Sequence, residues 1–271
     1  MTQPRDPVGR LAACYDEEAR AYRELWAPIL EPFGRELVCE VAAGKATPAR
    51  ALDLGTGVGW LLPSLRDSFP DALLMGVDRS EGMVRLVPAP FAVAVMDGSQ
   101  LALVRDSFDV AVLAFVLFHF PDPRAGLAET RRVLRAGGVI GTTTWGSEPS
   151  YPALGIWNEE LDAHGARPLD PEMDLVRHDL VDTTQKMHDL LERAGFASIR
   201  TWTRPFDQRM SFEGFVALRT RLGRTKRRLD SLDPRAQAAC IERASARLRP
   251  LGPESFVARS EVVFATAATP S

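Results

Sequence analysis

Between residues 50 and 145, short apolar runs alternate with helix-like segments, and this alternation limits the possible folds more than any other feature of the chain. The runs "ARALDL" (49–54), "ALLMGVD" (72–78), "FAVAVMD" (91–97), "FDVAVLAF" (108–115) and "GGVIGTTTW" (137–145) read as strands. Between them, "WLLPSLRDSF" (60–69), "SEGMVRLV" (80–87) and "RAGLAETRRVLR" (124–135) read as helices, the second opened by Ser80 as an N-cap. Strands joined through helices imply right-handed crossovers and a parallel sheet covered on both faces. The runs are apolar throughout rather than alternating, as burial on both sides requires.

The flanks add two more strands. Residues 7–44 read as helical, broken near Pro28 and Pro32, with a stripe of Phe33, Leu37, Val38 and Val41 that stops at Gly44. After Trp145 the pattern predicts a loop, a helix over 183–195 and a strand over 197–206. Helical segments near 211–222 and 233–248 and a last strand over 255–267 follow. The expected fold is α/β: a doubly wound, mostly parallel seven-stranded sheet with helices on both faces. An N-terminal helical lid (1–44) and a core (45–271) with a cap insertion at about 207–254 complete the expected organisation. Five strand ends make an open platform, and these two segments carry the aromatic and apolar faces to cover it. Tyr15, Tyr22 and Trp26 lie in one, and Phe212, Phe215 and Leu218 in the other.

The turn after the first run reads "LGTGVG", with Gly55, Gly57 and Gly59 following Asp53. Glycines here let the backbone approach a ligand closely, outside the carboxyl ends of the strands. The spacing departs from the G-x-G-x-x-G of dinucleotide enzymes, and no Gly-Lys-Ser/Thr follows to make a phosphate loop. An acid at residue 53 is poorly placed beside a pyrophosphate and well placed beside an amino group. The next two runs also end in acids, Asp78 and Asp97. At those positions a carboxylate can accept from ribose hydroxyls and from an adenine amino group respectively.

These residues together resemble the class I S-adenosylmethionine-dependent methyltransferases. "LDLGTGVG", "MGVDRSEGM", "VMDGSQL", "FDVAVLAFVLFHFPDP" and "RVLRAGGVI" match the family's motifs in order over residues 15–145, and "YRELWAPILEPFG" (22–34) is similar to the N-terminal helix of its bacterial small-molecule members. Beyond Trp145 only "LLERAGF" is similar. The resemblance implies S-adenosyl-L-methionine as cofactor. Gly55, Thr56 and Gly57 would border its methionine portion, with Asp53 near the amino group. Asp78 would hold the ribose, with Arg79 and Met83 beside ribose and adenine, and Asp97 and Gly98 would face the adenine edge. Phe115 would lie under the methionine near the sulfonium, whose charge suits an aromatic face. Tyr22 and Trp26 would close over the cofactor. Thr56 stands where many relatives carry cysteine.

For an acceptor hydroxyl that needs a base, His119 is the best-placed candidate; His164, His178 and His188 read as structural. The Asn/Asp-Pro-Pro-Tyr/Phe motif of nucleobase and amide methylation is missing after the fourth run, and the net charge is −3. Both argue for a small-molecule methyl acceptor and against nucleic acid. The basic run "RTRLGRTKRR" (219–228) reads as a solvated helix end. No membrane span is expected, and the charged opening residues and three scattered cysteines suit a cytoplasmic protein with free thiols and no metal site. A nicotinamide-dependent oxidoreductase and a cofactor-binding protein without methyl transfer are the alternatives.

Overall fold

The computed structural model describes residues 6–44, 47–170 and 177–270. The described residues divide into two compact units, those within 1–147, 175–204 and 261–271 forming the first and those within 148–174 and 205–260 the second.

Among the described residues, seven strands form one sheet: β1 (Arg50–Leu54), β2 (Leu73–Asp78), β3 (Ala92–Val95), β4 (Phe108–Ala114), β5 (Leu134–Trp145), β6 (Ala197–Arg209) and β7 (Val257–Ala268). Their order is β3-β2-β1-β4-β5-β7-β6. The pairs β1–β2, β1–β4, β2–β3 and β4–β5 are parallel, and β7 runs antiparallel to β5, with Val139 opposite Ala268 and Trp145 opposite Val262. All seven residues of β4 are buried, as a strand covered on both faces requires. The helices, in chain order, are α1 (Pro7–Ala21), α2 (Ala27–Gly44), α3 (Leu62–Ser68), α4 (Glu81–Val84), α5 (Pro123–Val133), α6 (Pro152–Ala163), α7 (Thr184–Arg193), α8 (Phe212–Arg221), α9 (Gly223–Leu229) and α10 (Pro234–Leu248). Caps fix several starts: Ser80 Oγ accepts from Met83 N–H at 3.1 Å, and the Asp122 carboxylate accepts from Arg124 N–H at 3.0 Å ahead of Pro123.

Three expectations are corrected. The helix over 7–44 is not broken at Pro28 or Pro32. A π-helical turn, Tyr22–Trp26, joins α1 to α2, and the Ala27 N–H reaches back to the Tyr22 carbonyl. This wider turn comes immediately before Pro28, whose ring and missing N–H an α-helical ladder accommodates poorly. The region after Trp145 is not all loop, because it contains α6, with Pro152 at its first position. The fifth strand starts at Leu134 rather than Gly137. Its register against β4 shifts between Phe108 and Val110, and Gly137 takes a left-handed φ of 66°.

α2 also departs from the expected lid. It buries Leu30, Leu37, Val38 and Val41 completely, and a Cβ on Gly141 of β5 would lie 2.3 Å from Val41 Cγ2. Four such side chains contribute roughly 1.5–3 kcal/mol each on leaving water. α2 is therefore part of the packing that holds the sheet.

Candidate functional site

β1 and β4 are neighbours at the centre of the sheet, and the chain winds away from them in opposite directions, so their carboxyl ends flank a crevice. At the end of β1 the chain turns sharply, and the N–H groups of Gly55 and Thr56 both donate to the Val77 carbonyl, at 2.8 and 3.0 Å. Gly55 has φ 79°, and a Cβ there would lie 2.5 Å from Val116 on the β4 side. Only glycine fits. Gly57, at φ 55°, faces open space, since its Cβ would meet nothing nearer than the Tyr22 ring at 3.9 Å. Its N–H donates to Asp78 Oδ2 at 2.8 Å, tying the glycine turn to the end of β2.

The three acids have different surroundings. Asp53 is buried beneath the turn and accepts from Thr56 Oγ1 at 2.7 Å. Burial pushes its carboxyl up to about 7, and the nearby Asp78 adds to the rise although the Thr56 bond opposes it. Asp78 accepts from Ser80 N–H at 2.9 Å as well as from Gly57. Burial raises its carboxyl too, against the pull of those N–H groups and of Arg79. Asp97 pairs with Arg79 and accepts from Ser99 N–H at 2.8 Å and Ser99 Oγ at 2.6 Å. Burial alone would raise it, but the Ser99 bonds and the Arg79 guanidinium together hold it below the usual carboxylate range.

At the end of β4, Phe115 takes a left-handed φ of 56°, uncommon for a bulky residue. Its N–H donates to the Thr143 carbonyl at 2.8 Å, and its ring lies 4.6 Å from that of Trp145 and 6.5 Å from that of Phe33. Four residues on, His119 Nε2 lies 2.8 Å from the Tyr15 hydroxyl of α1. α1 is also held through Asp16, whose Oδ1 accepts from Ser80 Oγ at 2.6 Å and from Gly82 N–H at 2.7 Å. A Cβ on Gly82 would meet the Asp16 backbone at 2.6 Å. Ala19, Ala27, Val58 and Met83 form a buried cluster beneath this contact, with Tyr15, Tyr22 and Trp60 packed against it.

These segments enclose a cleft of about 850 Å³, counted with its open mouth. Of the residues expected from sequence, Tyr22, Gly55, Gly57, Asp78, Arg79, Met83, Gly98, Phe115 and His119 line it. Trp26, Asp53, Thr56 and Asp97 are not part of its lining. Trp26 packs against Trp145 at 5.8 Å, Asp53 and Thr56 bond to each other under the turn, and Asp97 is engaged by Arg79 and Ser99. Sequence reasoning missed Val8, Leu11 and Ala12 of α1, together with Met96, Val116, Phe120 and Pro121, as cleft-lining residues. It also missed Asp16, whose partners are 64 and 66 residues away and leave no local signal. Burial holds the Tyr22 phenol well above its ordinary value, with Tyr15, Asp78 and Asp53 acting in the same direction, so that it stays neutral.

Residues 52–141 match the family model described as a methyltransferase domain. Malonyl-[acyl-carrier protein] O-methyltransferase of Hahella chejuensis is 30% identical over 154 residues, which are 55% of this chain and 54% of that one. Demethylmenaquinone methyltransferase of Roseiflexus castenholzii is 40% identical over 104 residues, 36% of this chain and 43% of that one. The chain thus spans about half the length of these relatives. Among solved structures, phosphoethanolamine N-methyltransferase 2 of Haemonchus contortus superposes with a TM-score of 0.55 at 17% identity, covering 100% of this chain and 61% of that one, a likeness of fold. The likeness is thus concentrated in the motif-bearing central segment, which matches a methyltransferase domain.

Proposed function

We propose that this protein transfers a methyl group from S-adenosyl-L-methionine to O, N or C of a small-molecule acceptor. The observation that carries the reading is the cleft at the β1 and β4 ends, with an open glycine turn and a raised carboxylate side by side. S-adenosyl-L-methionine would supply an electrophilic methyl on a sulfonium. The residues present fit it. Asp78, on the cleft wall, has lone pairs left to accept from ribose hydroxyls beyond the two N–H bonds it already receives. Asp53 and Asp78 are both raised by burial, and Asp78 raises Asp53 further, so a cationic ligand stabilises their ionised forms. Gly57 leaves room for the methionine portion, while Phe115 and Tyr22 present rings to the cation. Arg79, Met83 and Gly98 also line the cleft, where Arg79 and Met83 would hold the ribose and adenine and Gly98 would face the adenine edge. Thr56 and Asp53 act beneath the turn by fixing its shape, Asp97 acts by orienting Arg79, and Trp26 acts by backing Trp145.

The protein's contribution to the reaction is alignment and exclusion of water. α1 forms the covering wall, through Val8, Leu11, Ala12 and Tyr15. His119 is the candidate base for a hydroxyl acceptor, its Nε2 oriented by Tyr15. One relative is named for O-methylation of malonyl-[acyl-carrier protein] and another for methylation of demethylmenaquinone, which supports a metabolite acceptor without choosing the atom. The same reading makes the protein cytoplasmic and gives it no nucleic-acid partner.

Calorimetry with S-adenosylmethionine, S-adenosylhomocysteine and NAD, followed by label transfer from methyl-labelled S-adenosylmethionine into metabolite extracts, tests this. Saturable binding of the first two and a labelled small molecule are expected. NAD binding without S-adenosylmethionine binding, or a tight complex with nucleic acid in a gel shift at about 0.15 M salt, would overturn it.

A further inference from the structure

In the second unit, Tyr151, Trp157 and Arg219 surround the Phe215 ring, and each has an N–H or O–H without an acceptor among the described residues. The Arg219 guanidinium lies 5.3 Å over that ring, and its Nη2 donates to the Tyr151 hydroxyl at 3.2 Å. Its Nε is buried with no hydrogen-bond partner, and no carboxylate among the described residues pairs with it. Tyr151, edge-on to Phe215 at 6.2 Å, accepts the Arg219 bond, and its own hydroxyl proton has no acceptor among the described residues. Trp157 is fully buried with its ring 5.9 Å from Phe215, and its Nε1–H is unpartnered as well.

Arg219 is part-buried, but its Nε–H is held out of water without an acceptor, which is costly, and burial here draws Arg219 below its usual value. Packing alone does not require it, since a leucine or methionine would fill the place without that cost. The Arg219 guanidinium and the Tyr151 hydroxyl stand side by side, and donors so placed without an acceptor suit an oxyanion. The charge count narrows the choice: one cation and two neutral donors balance a single negative charge, and a phosphate dianion would leave one charge uncompensated. The planar guanidinium fork also matches a carboxylate.

We propose that Arg219 and Tyr151 form a binding site for a small organic monocarboxylate, its oxygens accepting from the guanidinium and from the Tyr151 O–H. This site lies wholly among residues of the second unit and does not rest on the methyl-transfer reading.

The test is calorimetric titration of the intact chain with acetate and with benzoate, set against benzamide and inorganic phosphate. Arg219→Gln, Arg219→Lys and Tyr151→Phe are compared with the parent, with melting temperatures recorded for each. The indole N–H signal of Trp157, identified in ¹⁵N spectra by its loss in Trp157→Phe, reports the same event. Saturable carboxylate binding is expected in the parent, with benzamide silent and phosphate weaker. Arg219→Gln should weaken it by about 10-fold or more and Tyr151→Phe by about 3-fold, in keeping with hydrogen bonds to a charged group. Arg219→Lys keeps the charge but loses the fork and should fall between the parent and Arg219→Gln. If Arg219→Gln does not fold, Arg219→Lys and Tyr151→Phe decide, because both must bind more weakly than the parent. Failure of both carboxylates to bind the parent, equal binding by folded variants, or tighter binding of phosphate would overturn the site.

Discussion

The cleft has two walls built on different terms. The strand-end wall is made of backbone held in unusual conformations: Gly55, Gly57 and Phe115 are all left-handed, and the buried Asp53 and half-buried Asp78 stand beside them. The helical wall is the apolar face of α1, held by Tyr15 against His119 and by Asp16 against Ser80 and Gly82. The first wall belongs to the fold, and changing it should cost stability. The second rests on it through a few side-chain bonds, and changing it should cost binding. The contrast can be broken at several places, taken here from the largest expected effect to the smallest.

Asp53 should give the largest. In the unfolded chain its carboxyl ionises near the ordinary 3.8, whereas in the fold it keeps its proton up to about 7. Between these values the native state holds the extra proton, so stability is highest at the acid end and falls as pH rises through the window. Each pH unit of that window is worth about 1.36 kcal/mol, so the whole fall is at most roughly 4 kcal/mol. Asp53→Asn preserves the Thr56 contact and should flatten this slope when urea melts are compared between pH 4 and 7, leaving only the part that the raised Asp78 carboxyl contributes. Parallel curves for the two proteins would show that the strand-end wall carries no such strain.

Gly55→Ala should cost a comparable amount. The left-handed conformation costs a side chain roughly 1–2 kcal/mol, and overlap with Val116 adds on the order of 1–3 kcal/mol. A clear drop in melting temperature is the expected result, and an unchanged one would mean that the turn relaxes freely.

The two walls also differ in how far they can be read from sequence. Apolar runs ending at Leu54, Asp78 and Ala114, and glycines spaced by two, are local signals, because a buried parallel strand and a left-handed turn each restrict which residues can stand there. Seven strands and the residues at their ends are legible for that reason. The π-helical turn is not, since both prolines argue locally for a break and only the continuous burial of α2 shows why the helix persists. α6 is hidden by Gly155 and by the proline-rich approach "SEPSYP". Leu11 and Asp16 look like ordinary helix positions, and only docking against α4 makes one a cleft residue and the other a tether. The side-chain directions of Asp53 and Asp97 are equally out of reach, because a strand end fixes where a residue stands and its neighbours decide where it turns.

Asp78 stands where the walls meet and should separate binding from stability. Asp78→Ala removes the acceptor of the Gly57 and Ser80 N–H groups together with the proposed ribose contact. Binding of S-adenosylmethionine should weaken by roughly 1.5–3 kcal/mol, the usual worth of hydrogen bonds to a charged group. Calorimetry giving the parent affinity would remove Asp78 from the cofactor site.

Asp16 tests the helical wall itself and should give the smallest effect. Its two bonds are solvent-exposed or partly buried, so Asp16→Ala should release α1 at a cost of about 1 kcal/mol. The sheet does not depend on those bonds: α2 stays packed through Leu30, Leu37, Val38 and Val41, and β1 to β5 keep their pairing. The melting temperature should therefore move far less than in Gly55→Ala. Cofactor affinity should fall by about 5-fold, the equivalent of 1 kcal/mol. Turnover should fall further, because a loosened α1 admits water to the cleft and releases Tyr15 from His119. Tyr15→Phe makes the finer cut, since it removes the hydroxyl from His119 Nε2 but keeps the ring in its buried cluster. It should lower turnover on a hydroxyl acceptor while leaving cofactor affinity near the parent value. If Asp16→Ala instead lowers the melting temperature as much as Gly55→Ala does, α1 is part of the fold in the same sense as the strand ends, and the distinction between the walls fails.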